Sequence, residues 1–221
     1  MNGEPLTLGA EIHGMALGSL QSNGYLIIDP ETRETLLVDP GGDSEKVFEW
    51  CAALNAQVCM ILNTHGHGDH IGANAPVKER FGVPLGIHKD DAEVLGDPML
   101  NLSAYFDPVT SPPPDFLLEP GTNIDWNGPT VKVLLTPGHS PGSVSFLGDG
   151  WIVSGDVLFN GGIGRTDFPR CDHARLLQSI REELLTLPDD TIVYPGHGEP
   201  TTIGAERETN PFLQSELVRE Q

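Results

Sequence analysis

Thr64-His65-Gly66-His67-Gly68-Asp69-His70 places three imidazoles and one carboxylate within seven residues. The apolar run Val58-Cys59-Met60-Ile61-Leu62 leads into it and reads as a buried strand, while the residues after it suit the start of a helix. Imidazole and carboxylate together suit borderline divalent metals such as zinc, iron or manganese. Gly66 and Gly68 let the backbone turn tightly, so that alternating side chains converge rather than point apart. A polar surface loop rich in histidine is the competing interpretation, and the rest of the chain argues against it.

The same order of features recurs three times: an apolar strand, an abrupt Gly/Pro turn, then a metal-binding residue type. It appears at Leu135-Thr136-Pro137-Gly138-His139, at Val153-Ser154-Gly155-Asp156 and at Val193-Tyr194-Pro195-Gly196-His197. Ligands carried at several strand ends can meet at one edge of a sheet, held by rigid elements. A lone His-x-His is weak evidence for a metal, but four such segments between Thr64 and His197 are strong evidence. His13, His88 and His173 fit none of them and are read as non-ligands.

Composition narrows the partners. The 221 residues can bury a sizeable core, and 38% hydrophobic with 20% charged residues is an ordinary globular balance. A formal net charge of −20 repels phosphates, so non-specific binding to nucleic acid or anionic membrane is not expected, although two bound divalent metals could reverse the sign locally. No apolar run approaches the ~20 residues needed to span a bilayer. Met1 to Met15 has neither a basic start nor an apolar stretch, so a cytoplasmic protein is expected. Cys51, Cys59 and Cys171 form no CxxC pair and read as structural thiols of a reducing compartment.

Elements follow from periodicity. Leu6 to Ile28 reads as short strands broken by Gly14, Gly18 and Gly24. Further strands are expected at Tyr25–Ile28, Thr35–Val38, Val58–Leu62, Pro84–Ile87, Val131–Leu135, Ser143–Leu147, Trp151–Val153 and Thr191–Tyr194. Ser44 is expected to cap a helix running to about Asn55, Ala73 to Phe81 to form another closed by Gly82, and His88 to Leu95 a short one. Cys171 to Leu187 is the best helical pattern, with Asp172 as cap and Leu176, Leu177, Ile180, Leu184 and Leu187 as its apolar stripe. Residues 96–127 gather prolines and read as an irregular excursion near the site, available to cover a substrate.

The four segments, in this order, resemble the metallo-β-lactamase superfamily, whose signature is HxHxDH followed by separate His, Asp and His. The resemblance covers nearly the whole chain. It implies an α+β fold, the four-layer αββα sandwich with two mixed sheets and helices on the outer faces. It also implies one domain over 1–221, without a separate C-terminal helical substrate domain. Carried over by position, one metal takes His65, His67 and His139, the second takes Asp69, His70 and His197, and Asp156 bridges them. Two dications would nearly balance Asp69, Asp156 and a bridging hydroxide, with the histidines neutral. The implied catalytic carboxylates are Asp69 and Asp156, acting with a metal-bound hydroxide whose pKa falls from ~15.7 towards ~7. Asp39 is a candidate for orienting a ligand histidine, with turn capping as its alternative role.

Gly164-Arg165-Thr166-Asp167-Phe168, the run at 136–142 and the Gly-His-Gly-Glu-Pro segment from Gly196 resemble the short glyoxalase II-like hydrolases. These cleave thioesters such as S-lactoylglutathione, so the implied partner is a small thioester derived from glutathione. Full-length glyoxalase II adds a C-terminal helical domain with glutathione contacts, whereas only Gly198 to Gln221 follow the last ligand here. Arg165 could bind a substrate carboxylate bidentately, or form a structural ion pair. The Gly-Arg-Thr-Asp-Phe run also resembles the persulfide dioxygenases, which imply one iron on His65, His139 and Asp156. Lactonase or β-lactamase chemistry is a further alternative on the same centre.

Overall fold

Neighbouring side chains of a strand point to opposite faces of its sheet, and here that alternation sorts the apolar residues into layers. Leu26, Ile28 and Leu37 pack against Val47, Cys51 and Val77 from helices, whereas Tyr25, Ile27, Leu36 and Val38 face Val133, Phe146 and Val153 of a second sheet. On that second sheet Leu134, Ile152 and Val193 turn the other way, onto Leu176, Ile180, Leu184 and Ile203. Three apolar seams therefore join four layers, and each fully buried Leu, Ile or Phe contributes about 1.5–3 kcal/mol.

The structure is a computed structural model that describes residues 9–217, with side chains to 214. Its first sheet runs in the order β1 (Glu11–Leu17), β2 (Ser22–Ile28), β3 (Glu34–Val38), β4 (Gln57–Leu62), β5 (Leu85–Ile87) and β6 (Phe116–Leu117). Pairing is antiparallel from β1 to β3 and parallel from β3 to β6. Next along the chain come β7 (Lys132–Leu135), β8 (Val144–Gly148) and β9 (Trp151–Gly155), then a small ribbon of β10 (Leu158–Phe159) and β11 (Gly162–Ile163). With β12 (Ile192–Pro195) and β13 (Thr201–Thr202), strands β7, β8 and β9 form the second sheet, ordered β13-β12-β9-β8-β7, in which β9 and β12 are parallel and from which the ribbon stands apart. Helices α1 (Ser44–Ala53) and α3 (Asn74–Phe81) cover the first sheet, with the single turn α2 (Gly68–Ile71) at its edge. Helices α4 (His173–Ser179), α5 (Ile203–Thr209) and α6 (Pro211–Leu217) flank the second. This is the α+β sandwich of two mixed sheets that the resemblance implies.

Local expectations need four corrections. Gly14 and Gly24 lie inside β1 and β2 and break neither; Gly14 leaves room for the ring of Tyr25 across the pair, and only Gly18, at φ +67°, turns the chain. Leu6 to Leu8 of that expected stretch lie outside the described residues. Ser44 opens α1 without capping it: Asp43 holds the cap position in left-handed backbone at φ 49°, and its carboxylate accepts from Gly18 N and Lys46 instead. The turn after β5 is a 3₁₀ helix, Lys89–Gly96, with His88 as its cap. Helix 171–187 is α-helical only to Ser179 and widens to a π-helical turn at Ile180–Leu184, although Asp172 caps it by accepting from Arg175 N. Helices α5 and α6 carry no expectation, because their apolar positions are few.

Candidate metal centre

Strand register assembles the centre. β3 and β4 are parallel with Val38 opposite Leu62, so the residues that follow, Asp39 and Asn63-Thr64, leave the same sheet edge side by side. β9 and β12 are parallel with Gly155 opposite Pro195, which brings Asp156 next to His197. The β7–β8 hairpin supplies His139 from its turn. The sheets are stitched together at this edge: Val144 N donates to Thr64 O at 2.8 Å, Asn23 N to Gly196 O at 2.7 Å, and Tyr25 Oη to Pro195 O at 2.6 Å.

His65, His67 and His139 bring one ring nitrogen each into a group whose donor atoms lie within 4.8 Å of one another, and Asp69, His70 and His197 form a second such group. Asp156 stands between them, its carboxylate 3.4 Å from His70 Nε2, 3.5 Å from His139 Nε2 and 3.7 Å from His197 Nε2. His197 Nε2 is 3.2 Å from Asp69 Oδ2. Every residue proposed as a ligand from sequence is therefore at this one edge.

Outer hydrogen bonds decide which nitrogen faces inward. Asp39 Oδ2 accepts from His70 Nδ1 at 3.1 Å and from Thr64 Oγ1 at 2.6 Å, and Oδ1 accepts from Thr64 N at 2.8 Å. Thr64 Oγ1 in turn lies 3.0 Å from His65 Nδ1, and Arg165 O accepts from His139 Nδ1 at 2.8 Å. With Nδ1 committed outward in all three, Nε2 is the nitrogen turned to the centre, and it offers a lone pair whenever the ring is neutral. His65 Nε2, His70 Nε2 and Asp156 Oδ1 are buried without a protein partner. His67 Nδ1 and His139 Nε2 approach to 2.8 Å, which places a proton or a cation between them. Buried acceptors that converge without donors suit divalent cations, so this donor set passes the test of fit.

Electrostatics agree. Burial, reinforced by His70, His67 and His139, holds His65 well below the ordinary histidine value, and burial with the adjacent His139 brings His67 down to about 3. Burial opposes charge on His70 too, but Asp69 and Asp156 outweigh it and hold its pKa well above the usual value. Burial would raise Asp156 and Asp69, yet His70 beside them keeps both below the ordinary carboxylate range. The metal-free cluster thus holds two ionised carboxylates, His65 and His67 kept neutral, and His70 and His197 shifted towards the charged form by those carboxylates, a positive charge that divalent ions would replace.

Asp39 is buried, sits at φ 48° and does hold a histidine of the cluster. Arg165 contributes its backbone oxygen to His139, while its guanidinium forms two hydrogen bonds to Asp167 and lies 4.4 Å over the Phe168 ring. His13, His88 and His173 contact Glu11, Asp90 and Thr166 respectively, away from both groups. The three cysteines are free thiols. Thr64 stood inside the decisive stretch without an assigned role; its position directly before the first histidine was the available signal.

Five imidazoles and two carboxylates converge at one edge of an αββα sandwich as a candidate centre for divalent metal. The chain belongs to the metallo-beta-lactamase superfamily, whose family model matches residues 17–197. Hydroxyacylglutathione hydrolase GloC of Haemophilus influenzae is 39% identical over 210 residues, covering 89% of this chain and 95% of that protein. The BLEG-1 B3 metallo-beta-lactamase has a similar structure, with a TM-score of 0.88 and 41% identity over 92% of this chain and 99% of that one. TTHA1623, solved in a di-iron-bound form, gives a TM-score of 0.83 and 39% identity, covering 91% and 100%. No described helix is long and apolar enough to cross a membrane.

Proposed function

We propose that the chain is a binuclear metal-dependent thioesterase of the hydroxyacylglutathione hydrolase kind. The observation that carries this reading is the convergence of two complete donor groups on Asp156. His65, His67 and His139 would hold one divalent ion, Asp69, His70 and His197 the other, with Asp156 shared; zinc, iron and manganese all suit these donors. Bound ions would supply Lewis acidity and bring the pKa of a water towards neutrality. Likeness to GloC supports the thioester, and likeness to the di-iron form of TTHA1623 supports two metals.

The chain's own residues do the rest. Beside bound ions Asp69 and Asp156 would stay ionised and could accept a hydrogen bond from the attacking water, which orients it. Water adds to the thioester carbonyl carbon, the carbon–sulfur bond breaks, and a carboxylic acid and a thiol are the products. Thiolates leave readily, so no separate strong acid is needed. A groove of 540 Å³ beside Asp69, lined by Leu20, Gln21, Lys46, Phe106 and Val109, gives a small substrate access. Phe106 and Val109 belong to the excursion at 96–127, which supports a substrate-covering role for it. Lys46 pairs with Asp43 and Arg165 with Asp167, so both pairs must open before either cation binds a glutathione carboxylate.

The single-iron arrangement on His65, His139 and Asp156 leaves Asp69, His70 and His197 without a role, and their convergence favours the hydrolytic reading. The test is metal analysis together with a panel of thioesters, a lactone, a β-lactam and glutathione persulfide. Two metals per chain and thioester cleavage that disappears on verified stripping and returns on reloading are expected. Oxygen uptake with persulfide on a single iron would replace this reading, and cleavage indifferent to stripping would end it.

A further inference from the structure

Asp91 follows β5 in the 3₁₀ turn at Lys89–Gly96 and is buried, yet it serves neither that turn nor any cation among the described residues. The turn is capped by His88, whose Nδ1 accepts from Asp90 N. Both carboxylate oxygens of Asp91 reach instead into two loops that are distant in sequence. Oδ2 accepts from Gly66 N at 2.9 Å and from Ser140 Oγ at 2.6 Å, and Oδ1 accepts from Gly142 N at 2.8 Å. Gly66 is flanked by His65 and His67, and Ser140 directly follows His139. A Cβ on Gly142 would meet the backbone nitrogen and the carboxyl carbon of Asp91, so the loop lies directly against this side chain.

A buried carboxylate is costly unless its oxygens are fully bonded, and hydrogen bonds to a charged acceptor are the strong ones. Three donors from two loops fix the position of both loops relative to one anchor. The second donor group receives nothing from Asp91; His70 is held by Asp39, and Asp69 O accepts from Ser22 Oγ. We infer that Asp91 is a positioning residue that clamps the loops carrying His65, His67 and His139, and so sets the mutual placement of those three imidazoles. The inference rests on the metal-centre reading above and assigns the clamp to one of its two halves only.

Asp91→Asn is close to isosteric but replaces one acceptor with an NH₂ group. Whichever way the amide turns, it opposes either Gly66 N–H or Gly142 N–H with another donor. The probe is cobalt(II), titrated into stripped protein and followed by its visible absorption. In the His197→Ala background, which keeps the His65, His67 and His139 group, Asp91→Asn should weaken cobalt binding about 10–100-fold. In the His67→Ala background, which keeps the Asp69, His70 and His197 group, it should change binding less than about twofold. Unchanged binding in the first background, or equal weakening in both, overturns the clamp. If Asp91→Asn is not recovered folded, Ser140→Ala removes one of the three donors and should show a smaller loss confined to the same background; no loss, or equal loss, overturns the clamp again. Wild-type protein that takes up no cobalt overturns the metal centre and the clamp together, whereas two cobalt ions in wild type with an indifferent Asp91→Asn overturns the clamp alone.

Discussion

The two halves of the centre are built differently. In the half formed by His65, His67 and His139, two of three side chains are buried, and the loops are held by a hairpin, by Arg165 O and by Asp91. In the half formed by Asp69, His70 and His197 only His70 is buried, while the Asp69 side chain is 15% exposed and that of His197 30%. His70 has the Asp39 carboxylate behind it, whereas the described ionic partners of His197 are the carboxylates of the centre itself and its ring otherwise meets those of Phe159 and His70. The first half is a preorganised socket, while the second borders the groove through Asp69. A donor set that is symmetric on paper is thus mechanically asymmetric, with one group more deeply buried and more firmly braced than the other.

The largest effect is expected where the halves meet. Asp156→Asn removes the carboxylate shared by both groups and should lower turnover more than ~100-fold, beyond the range seen for residues that only support ligands. Thioesterase assays of reloaded protein check this, and activity near wild type would remove Asp156 from the centre. Next comes the pair His67→Ala and His197→Ala. Each should leave one metal per chain by elemental analysis, with the retained ion bound more tightly in His197→Ala than in His67→Ala. The reverse order would invert the comparison.

Asp39→Asn should be milder. Asparagine tolerates the left-handed backbone at this position, but its NH₂ opposes His70 Nδ1–H or Thr64 N–H. Metal affinity should fall about 10–100-fold, mainly in the half that borders the groove. Thermal unfolding should register a loss of about 1–3 kcal/mol from the unsatisfied buried group. Arg165→Ala should be smallest: its exposed guanidinium is committed to Asp167, so neither the melting temperature nor KM for S-lactoylglutathione should move. A clear rise in KM would show that the pair opens onto substrate.

How much of this was legible in the chain follows from the range of each interaction. The candidate ligands were readable because each sits directly after an apolar strand and a sharp turn, a pattern local enough for a single sequence to display. The layers were readable from strands whose alternate residues are all apolar, as at Tyr25–Ile28, since both faces must be buried. Gly14 and Gly24 misled because their meaning depends on a ring and a strand across the sheet. The π-helical widening after Ser179 leaves no mark in the leucine stripe. Asp91 was hidden for a related reason: Lys89-Asp90-Asp91 reads as a charged helix start, and nothing nearby says that the third of these residues turns inward to loops 25 and 51 positions away.

The seam between the sheets has one more consequence. His65, His67, Asp69 and His70 extend from the first sheet, while His139, Asp156 and His197 extend from the second. Each ion would therefore be gripped from both sides of the sandwich, and its occupancy would act as a rivet across the packed faces of Phe146, Val133 and Tyr25. Loading at a hundred times the dissociation constant adds about 2.7 kcal/mol to stability. Conversely, any shear of one sheet over the other would draw His139 and His197 away from their partners and distort both donor groups at once, so that metal affinity would serve as a gauge of how well the core is packed.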